Sequence, residues 1–366
     1  MMKRRNDIKR LRQLVGLLLV ALCMVACTTE TYPGDSMAAD KDEPMPIRLR
    51  MRPNINIGTE EEEWPIAGRP MTRATTDDSN SSLPTDDYGV FIIDEETYQN
   101  LAVKRDASLA GYKTYGYVNE KAKLEGNELK REDGTYFFYP KAKTQATNVY
   151  IFVYWPYQAG LTLRKLMDGF EVSVEPDQSS SLKNSDVLAG WIMVSTTNGF
   201  KDVSSLASPS SYPKLNMLHV MSHLTIAYVH TTAADEPLSA EMLNATLGNV
   251  HTKAKLNLFE SLTSSESSKS SKSSELSIEA SGEKTTVDVA TNHSAQLSSD
   301  GKKDTATFYA LVPPQNIETS GANVTMTIIN GASQSRNFYR SNSANAPTAW
   351  AAGKKYKYNY TYVTGE

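Results

Sequence analysis

The stretch Val149-Tyr150-Ile151-Phe152-Val153-Tyr154-Trp155 decides the fold class of this chain. Each of its residues is either β-branched or aromatic, and these are the side chains that favour strands. Asn148 precedes the run and Pro156 follows it, so residues of the kind that interrupt strands bound it on both sides. The stretch therefore predicts a β-strand.

Similar runs occur on both sides of this stretch. They cover residues 88–93, 135–139 and 170–174 in the first part of the chain, and residues 219–229, 307–312, 324–329 and 355–362 in the second. The spacing predicts an all-β chain built as a sandwich of short antiparallel strands, with a second half that repeats the architecture of the first. Polar residues at 196–214 mark the boundary, so we expect domains at 74–205 and 206–366.

Length and composition limit the classes of protein to which the chain can belong. Its 366 residues suffice for two domains, each with its own core. The formal net charge is −4, and no basic stripe is present that could neutralise phosphates, so no nucleic-acid partner is expected. The only long apolar run lies at the N-terminus, which excludes a chain that spans a membrane several times.

The first 26 residues have the features of a secretory signal peptide. A basic segment precedes the apolar residues 14–22, and small residues follow as far as Cys27. Cys27, preceded by Ala26, resembles the acylated cysteine of bacterial lipoproteins, although Met24 stands where Leu is usual. We therefore expect a palmitate-bearing lipid anchor at Cys27. The alternative is a cysteine buried within the signal peptide.

A single strand is predicted in the segment that follows, residues 27–73. Apolar and arginine side chains alternate from residue 46 to 52. This period of two places Ile47, Leu49 and Met51 on one face, which can enter a core, and leaves the arginines in water. Pro53 ends the strand.

Motifs that carry enzyme chemistry are absent from the sequence. There is no phosphate-binding glycine loop, no GxSxG and no HExxH. His219 and His223 are four positions apart within a β pattern, and we interpret them as strand histidines on one face. We expect no enzyme activity, no cofactor and no metal.

Two further segments invite a functional interpretation. An aromatic group could stack on a sugar, although strand packing explains it more simply; its members are Tyr112, Tyr115, Tyr117, Trp155 and Tyr157. The serine-rich residues 264–274 cannot pack in a core and predict an exposed, mobile loop.

Several motifs together resemble the fimbrillin family, the type V pilins and related surface lipoproteins of Bacteroidetes. They are the lipoprotein signal, the strand Ile47 to Met51, Met71-Thr72-Arg73-Ala74-Thr75, Asp87-Tyr88-Gly89-Val90-Phe91, Tyr139-Pro140, the aromatic strand ending in Trp155-Pro156-Tyr157, Ala310-Leu311-Val312-Pro313-Pro314-Gln315 and Trp350-Ala351-Ala352-Gly353-Lys354. Their order along the chain is that of the family.

The resemblance implies two transthyretin-like antiparallel β-sandwich domains in tandem and a route of assembly. A lipoprotein precursor reaches the outer membrane, and an Arg-specific protease cuts after the first strand. Loss of that strand then opens a groove for a strand from another fimbrial subunit. We expect the cut between Arg73 and Ala74, because Arg69 precedes Pro70.

The expected function is therefore that of a fimbrial subunit that contributes to adhesion, with a host or bacterial surface protein or glycan as its target. Since the chain stops four residues after Tyr362, directly after its closing strand, we expect a tip or accessory subunit. Two alternatives stay open. One is a monomeric outer-membrane lipoprotein that binds glycans and keeps Cys27, with Arg73 in an uncut linker. The other is a secreted hydrolase on a sandwich scaffold.

Overall fold

A computed structural model describes residues 46–53, 83–104, 116–138, 148–195, 212–232, 244–267, 276–291, 303–327, 333–339 and 347–364. The strands are β1 (Pro46–Ile47), β2 (Arg50–Pro53), β3 (Tyr88–Asp94), β4 (Tyr117–Glu125), β5 (Glu128–Arg131), β6 (Phe137–Phe138), β7 (Asn148–Trp155), β8 (Phe170–Ser173), β9 (Leu188–Ser195), β10 (Lys214–His219), β11 (Ser222–Thr232), β12 (Asn244–Asn257), β13 (Ser277–Asp288), β14 (Ala290–Thr291), β15 (Lys303–Val312), β16 (Gln315–Asn316), β17 (Asn323–Thr327), β18 (Ser333–Asn337), β19 (Ala349–Trp350) and β20 (Lys355–Thr364).

Helices are few and short. They are α1 (Glu95–Gln99), α2 (Leu163–Asp168), α3 (Leu258–Ser267) and α4 (Ile317–Ser320), with a π-helical turn at Asn100–Lys104 and a 3₁₀ turn at Lys183–Ser185. The prediction of an all-β chain is confirmed. In the described part of the chain, no helix is both long and apolar enough to cross a membrane.

The N-terminal unit, residues 46–219 as described, is a closed ring of seven strands in the order β10, β2, β5, β4, β3, β7, β9. The predicted strand at 149–155 is β7, which pairs in antiparallel register with β9 along its whole length and with β3 from Val149 to Tyr154. Its central residues are fully buried, as Ile151, Phe152 and Val153 show. One pair of neighbours in the ring, β2 and β10, runs parallel and departs from the predicted antiparallel pattern.

The C-terminal unit, residues 222–364 as described, has two main sheets. Their strand orders are β14, β15, β11, β20 and β13, β12, β17, β18. A buried cluster draws apolar side chains from both sheets, including Ile226, Leu247, Phe308 and Val324. Its final strand β20 runs parallel to β11 and pairs with it from His223 to Thr232.

Strand and core contacts join the two units. Strand β8 of the N-terminal unit pairs with β12 of the C-terminal unit, where Phe170 lies opposite Leu256. A single apolar cluster includes Tyr150 and Phe152 from one unit with Phe259 from the other. The units therefore share part of their hydrophobic core.

The structure corrects two local predictions. The run at 219–229 is not one strand, because β10 ends at His219 and β11 begins at Ser222. The serine-rich segment 264–274 is not a loop throughout, because its first four residues form the end of α3, which continues to Ser267. Residues 268–275 lie outside the described part.

Strand β10 lies beyond the expected domain boundary at 205, yet it pairs with strands of the N-terminal unit.

Candidate functional site

The segment Pro46 to Pro53, which we call the leader strand, lies inside the N-terminal unit. Its apolar face is buried as the alternation predicts: Ile47, Leu49 and Met51 are 2%, 1% and 2% exposed. All three belong to the same buried cluster as Phe137 and Leu215. Full burial of such a side chain contributes about 1.5 to 3 kcal/mol, so the leader strand is an integral part of this core.

Backbone hydrogen bonds hold the leader strand on both sides. On one side, the Met51 amide donates to the Asn127 carbonyl at 2.9 Å, and the Leu129 amide donates to the Leu49 carbonyl at 3.0 Å. On the other side, the Arg50 amide donates to the Pro213 carbonyl at 3.0 Å. The leader strand thus lies between the β5 side and β10, and we call the space that it fills the leader groove.

The leader strand closes the ring of strands. Within the described residues, Lys214 to Met217 of β10 have ladder partners only in β2, whereas Leu218 and His219 pair with β9. Withdrawal of the leader strand would leave unpaired backbone groups on β5 and β10 and expose an apolar channel between them. An exposed edge of this kind can pair with an added strand.

Arg48, on the outward face of the leader strand, has specific partners. Its Nε and Nη2 atoms donate to the two carboxylate oxygens of Glu128 at 3.4 and 3.3 Å. Its Cζ lies 4.4 Å from the ring centroid of Tyr212 and 5.4 Å from that of Tyr136. The Tyr136 hydroxyl also donates to Glu128 at 3.1 Å. We call Glu128, Tyr136 and Tyr212 the Arg48 clamp.

The electrostatics of the clamp favour a cation. Burial alone lowers the pKa of Arg48, but the Glu128 carboxylate and the two tyrosines outweigh it, so the pKa is raised above its ordinary value. Burial, with Glu128 adding to it, also raises the pKa of Tyr136. The clamp therefore holds a charged guanidinium beside a carboxylate and neutral phenols.

Sequence reasoning missed this clamp. The alternation in the leader strand predicts its arginines in water, and the side chain of Arg48 is indeed 39% exposed, but it is not unpartnered. Glu128 begins a short polar strand, and nothing near Tyr136 or Tyr212 in the sequence identifies them as partners. Only the pairing of distant strands brings the clamp together.

The other predicted site residues fall into two groups. Cys27, Arg73 and Ala74 lie outside the described residues, so lipidation and cleavage stay predictions. His219 and His223 lie on two separate strands rather than on one, and the His219 Nδ1 pairs with Asp186 at 2.9 Å. Among described residues, no three His, Cys, Asp or Glu side chains are grouped to hold a metal.

The aromatic residues considered for sugar stacking take part in packing. Tyr117 makes an edge-on contact with Phe137, with ring centroids 5.0 Å apart. The Trp155 indole donates to the Asp86 carbonyl at 3.0 Å. Strand packing thus explains both, while residues 112 and 115 lie outside the described part.

Comparison with known proteins gives one decisive match. The family model described as fimbrillin-like matches residues 72–366. No curated protein matches the chain. The matched segment begins beside the expected cleavage site and excludes the leader strand.

Solved structures of low sequence identity align with most of the chain. The fimbrial anchor protein Mfa2 from Porphyromonas gingivalis is 9% identical, with 88% of this chain and 91% of that one covered and a TM-score of 0.35. A fimbrial assembly protein from Parabacteroides distasonis is 11% identical, with 88% and 93% covered and a TM-score of 0.41. A Bacteroides uniformis protein, provisionally described as a cell adhesion protein, is 18% identical, with 77% and 88% covered and a TM-score of 0.46.

The all-β fold and the family match define the class of protein: a structural component of cell-surface fimbriae and adhesins rather than an enzyme family. The chain belongs to the fimbrillin-like family. This membership rests on the sequence match, which covers most of the chain. It implies a location at the cell surface and association with other fimbrial subunits.

Proposed function

We propose that this protein is a fimbrial subunit that is exported as a lipoprotein precursor, cut between Arg73 and Ala74, and joined to its neighbour by exchange of the leader strand. The observation that carries the proposal is the position of the leader strand. It fills the space between β5 and β10 with three almost fully buried side chains, Ile47, Leu49 and Met51.

Physical reasoning links the cut to assembly. While the chain is intact, the leader strand is tethered to its own groove and competes at high effective concentration with any incoming strand. Cleavage at Arg73 ends that advantage, because the leader strand is then held only by its contacts. A strand of another subunit can replace those contacts with equivalent backbone hydrogen bonds and apolar side chains.

The same cut would release the protein from its anchor. Cys27 precedes the leader strand, so a lipid on Cys27 leaves with it. We infer that the precursor is held at the outer membrane and the processed subunit in the fimbrium.

We further propose a tip or accessory position in the fimbrium. The support is that β20 pairs with β11 over ten residues, from Lys355 to Thr364. It could act as a donor only by leaving this sheet, at the cost of those hydrogen bonds. Adhesion to a surface protein or glycan follows from such a position.

The test is digestion of the purified precursor with an Arg-specific protease, followed by mass spectrometry and by gels of boiled and unboiled samples. The expected product begins at Ala74, loses the leader strand and, once a donor subunit is added, forms oligomers that survive in cold detergent. Arg73→Gln should block the cut and Arg69→Gln should not. A precursor that resists the cut at Arg73 and keeps its leader strand bound would favour the tethered lipoprotein.

A further inference from the structure

The Arg48 clamp belongs to the body of the protein, whereas Arg48 belongs to the leader strand. Glu128 begins β5, Tyr136 immediately precedes β6, and Tyr212 lies two residues before β10. When the leader strand leaves, all three clamp residues stay in the groove wall. After processing, the clamp can therefore bind a side chain of a different strand.

Arg48 balances the charge of a carboxylate that is mostly buried while the leader groove is filled. The Glu128 side chain is only 14% exposed, and among the described residues Arg48 is the cation that forms an ion pair with it, at 3.3 Å. The nearby Lys130 forms its ion pair with Glu125, at 2.7 Å. The Tyr136 hydroxyl donates to Glu128 but carries no charge. A strand that refills the groove buries this carboxylate again, and a mostly buried carboxylate is costly without a cation, so the groove favours a strand that supplies one.

We propose that the leader groove selects its incoming strand by an arginine at the position of Arg48. The inference rests on the proposed strand exchange and names the partner: a strand of another subunit with the pattern apolar, Arg, apolar, any residue, apolar. Ile47, Leu49 and Met51 define the apolar positions, and the strand runs parallel to β10.

The geometry favours arginine over lysine. Two guanidinium nitrogens reach the two oxygens of Glu128, while the carbon between them lies 4.4 Å from the Tyr212 ring centroid. A planar guanidinium can make both contacts at once. An ammonium group is tetrahedral, so it has neither a pair of nitrogens to match the two carboxylate oxygens nor a plane to stack on the ring.

The test uses the exported chain, residues 28–366, with residues 72–75 replaced by the recognition sequence of a site-specific protease. After cutting, the binding of dye-labelled peptides is measured by fluorescence anisotropy. The peptides carry the sequence of residues 46–53, either native or with Arg48→Gln, Arg48→Lys or Arg52→Gln. Because only the peptide changes, folding of the body is not affected.

The expected order of affinity follows from the clamp. The Arg48→Gln peptide should bind about tenfold more weakly than the native peptide, with Arg48→Lys between them. Arg52 is exposed, so the Arg52→Gln peptide should bind as tightly as the native one. On the body, Glu128→Gln should reduce the preference for Arg over Gln to about twofold, while Glu132→Gln should leave it unchanged.

The outcomes separate this inference from the proposed function. Equal binding of the native and Arg48→Gln peptides would overturn arginine selection and leave strand exchange intact. Failure of every peptide to bind, with the leader strand demonstrably gone, would overturn both. A tenfold loss that disappears in the Glu128→Gln body supports the inference.

Discussion

Gln178 lies fully buried between the two units and acts as a link in the backbone hydrogen bonding of β15. Its Nε2 donates to the Leu311 carbonyl at 2.8 Å, and its Oε1 accepts from the Leu311 amide at 2.9 Å. The side chain thereby mimics a strand neighbour. Such a contact satisfies two backbone groups that water cannot reach.

We predict that Gln178→Leu lowers the free energy of unfolding by about 3 kcal/mol, since it leaves a buried donor and a buried acceptor unsatisfied. Urea unfolding followed by tryptophan fluorescence measures the change. Gln99→Leu, at an exposed position, serves as control and should change stability by less than about 0.5 kcal/mol. Equal effects of the two substitutions would show that the Leu311 contact is not structural.

Two partly buried histidines, His219 and His223, make stability depend on pH in opposite directions. Burial lowers the pKa of His223 well below 6.5, and Lys355 and His219 add to this effect. Burial also lowers the pKa of His219, but the attraction and hydrogen bond of Asp186 outweigh the effect of burial, so the pKa of His219 is raised. His223 is therefore neutral in the folded protein. The fold loses stability as the pH falls below the pKa that His223 has in the unfolded chain, because only the unfolded chain then takes up a proton there.

We predict that His223→Gln makes the loss of stability between pH 6.5 and about pH 5 shallower than in the unmodified protein. His219→Gln should act the other way, because its contribution is present below pH 6.5 and is lost as the pH rises through its higher folded value. Urea midpoints measured from about pH 5 to well above pH 6.5 cover both effects. A His223→Gln protein with an unchanged acid slope would contradict the assignment.

At the scale of the element, the leader strand contributes to stability through its buried face. Leu49 is 1% exposed, so Leu49→Ala should lower the free energy of unfolding of the uncut precursor by about 2 to 5 kcal/mol. Arg52→Ala, on the exposed face, should have little effect. Thermal unfolding of the two variants makes the comparison, and equal stability would mean that the leader strand is not part of the core.

A strand could be predicted from the sequence only where apolar, β-branched or aromatic residues dominate it. Runs such as β3 and β7 are rich in β-branched and aromatic residues, so their strands could be predicted. Strands β4, β12 and β13 carry many Lys, Glu, Ser and Thr residues on exposed positions and gave no such signal. The corner between His219 and Ser222 was missed because Val220 and Met221 are apolar and continue the strand pattern.

The site was predictable only in part. Alternation along the leader strand identifies Ile47, Leu49 and Met51, because a local pattern determines which face is buried. The partners of Arg48 could not be found in this way. Glu128 and Tyr212 are distant from it in the sequence and meet it only through the closure of the ring.

At the scale of the whole molecule, one apolar cluster joins the two units. Phe259 of α3 lies with its ring centroid 5.2 Å from that of Tyr98 and 6.2 Å from that of Phe152. The cluster also includes Leu256 from β12. Since neither unit can lose this contact without exposing apolar surface, the units are expected to unfold together.

We predict a single calorimetric transition for the precursor. Phe259→Ala should lower the free energy of unfolding by about 3 to 5 kcal/mol and therefore lower the midpoint temperature. It should also divide the single transition into two, one for each unit. Val103→Ala, at a side chain that is 73% exposed, is the control. Two transitions in the unmodified protein would mean that the shared cluster does not couple the units.

The central claim is that the leader strand is an exchangeable part of the fold, and native mass spectrometry of the processed protein tests it most directly. The protein is cut between Arg73 and Ala74 and mixed with an excess of a peptide of residues 46–53. The account predicts a core that has lost its own leader segment and carries one peptide. A core that keeps its own leader segment and takes up no peptide would contradict it.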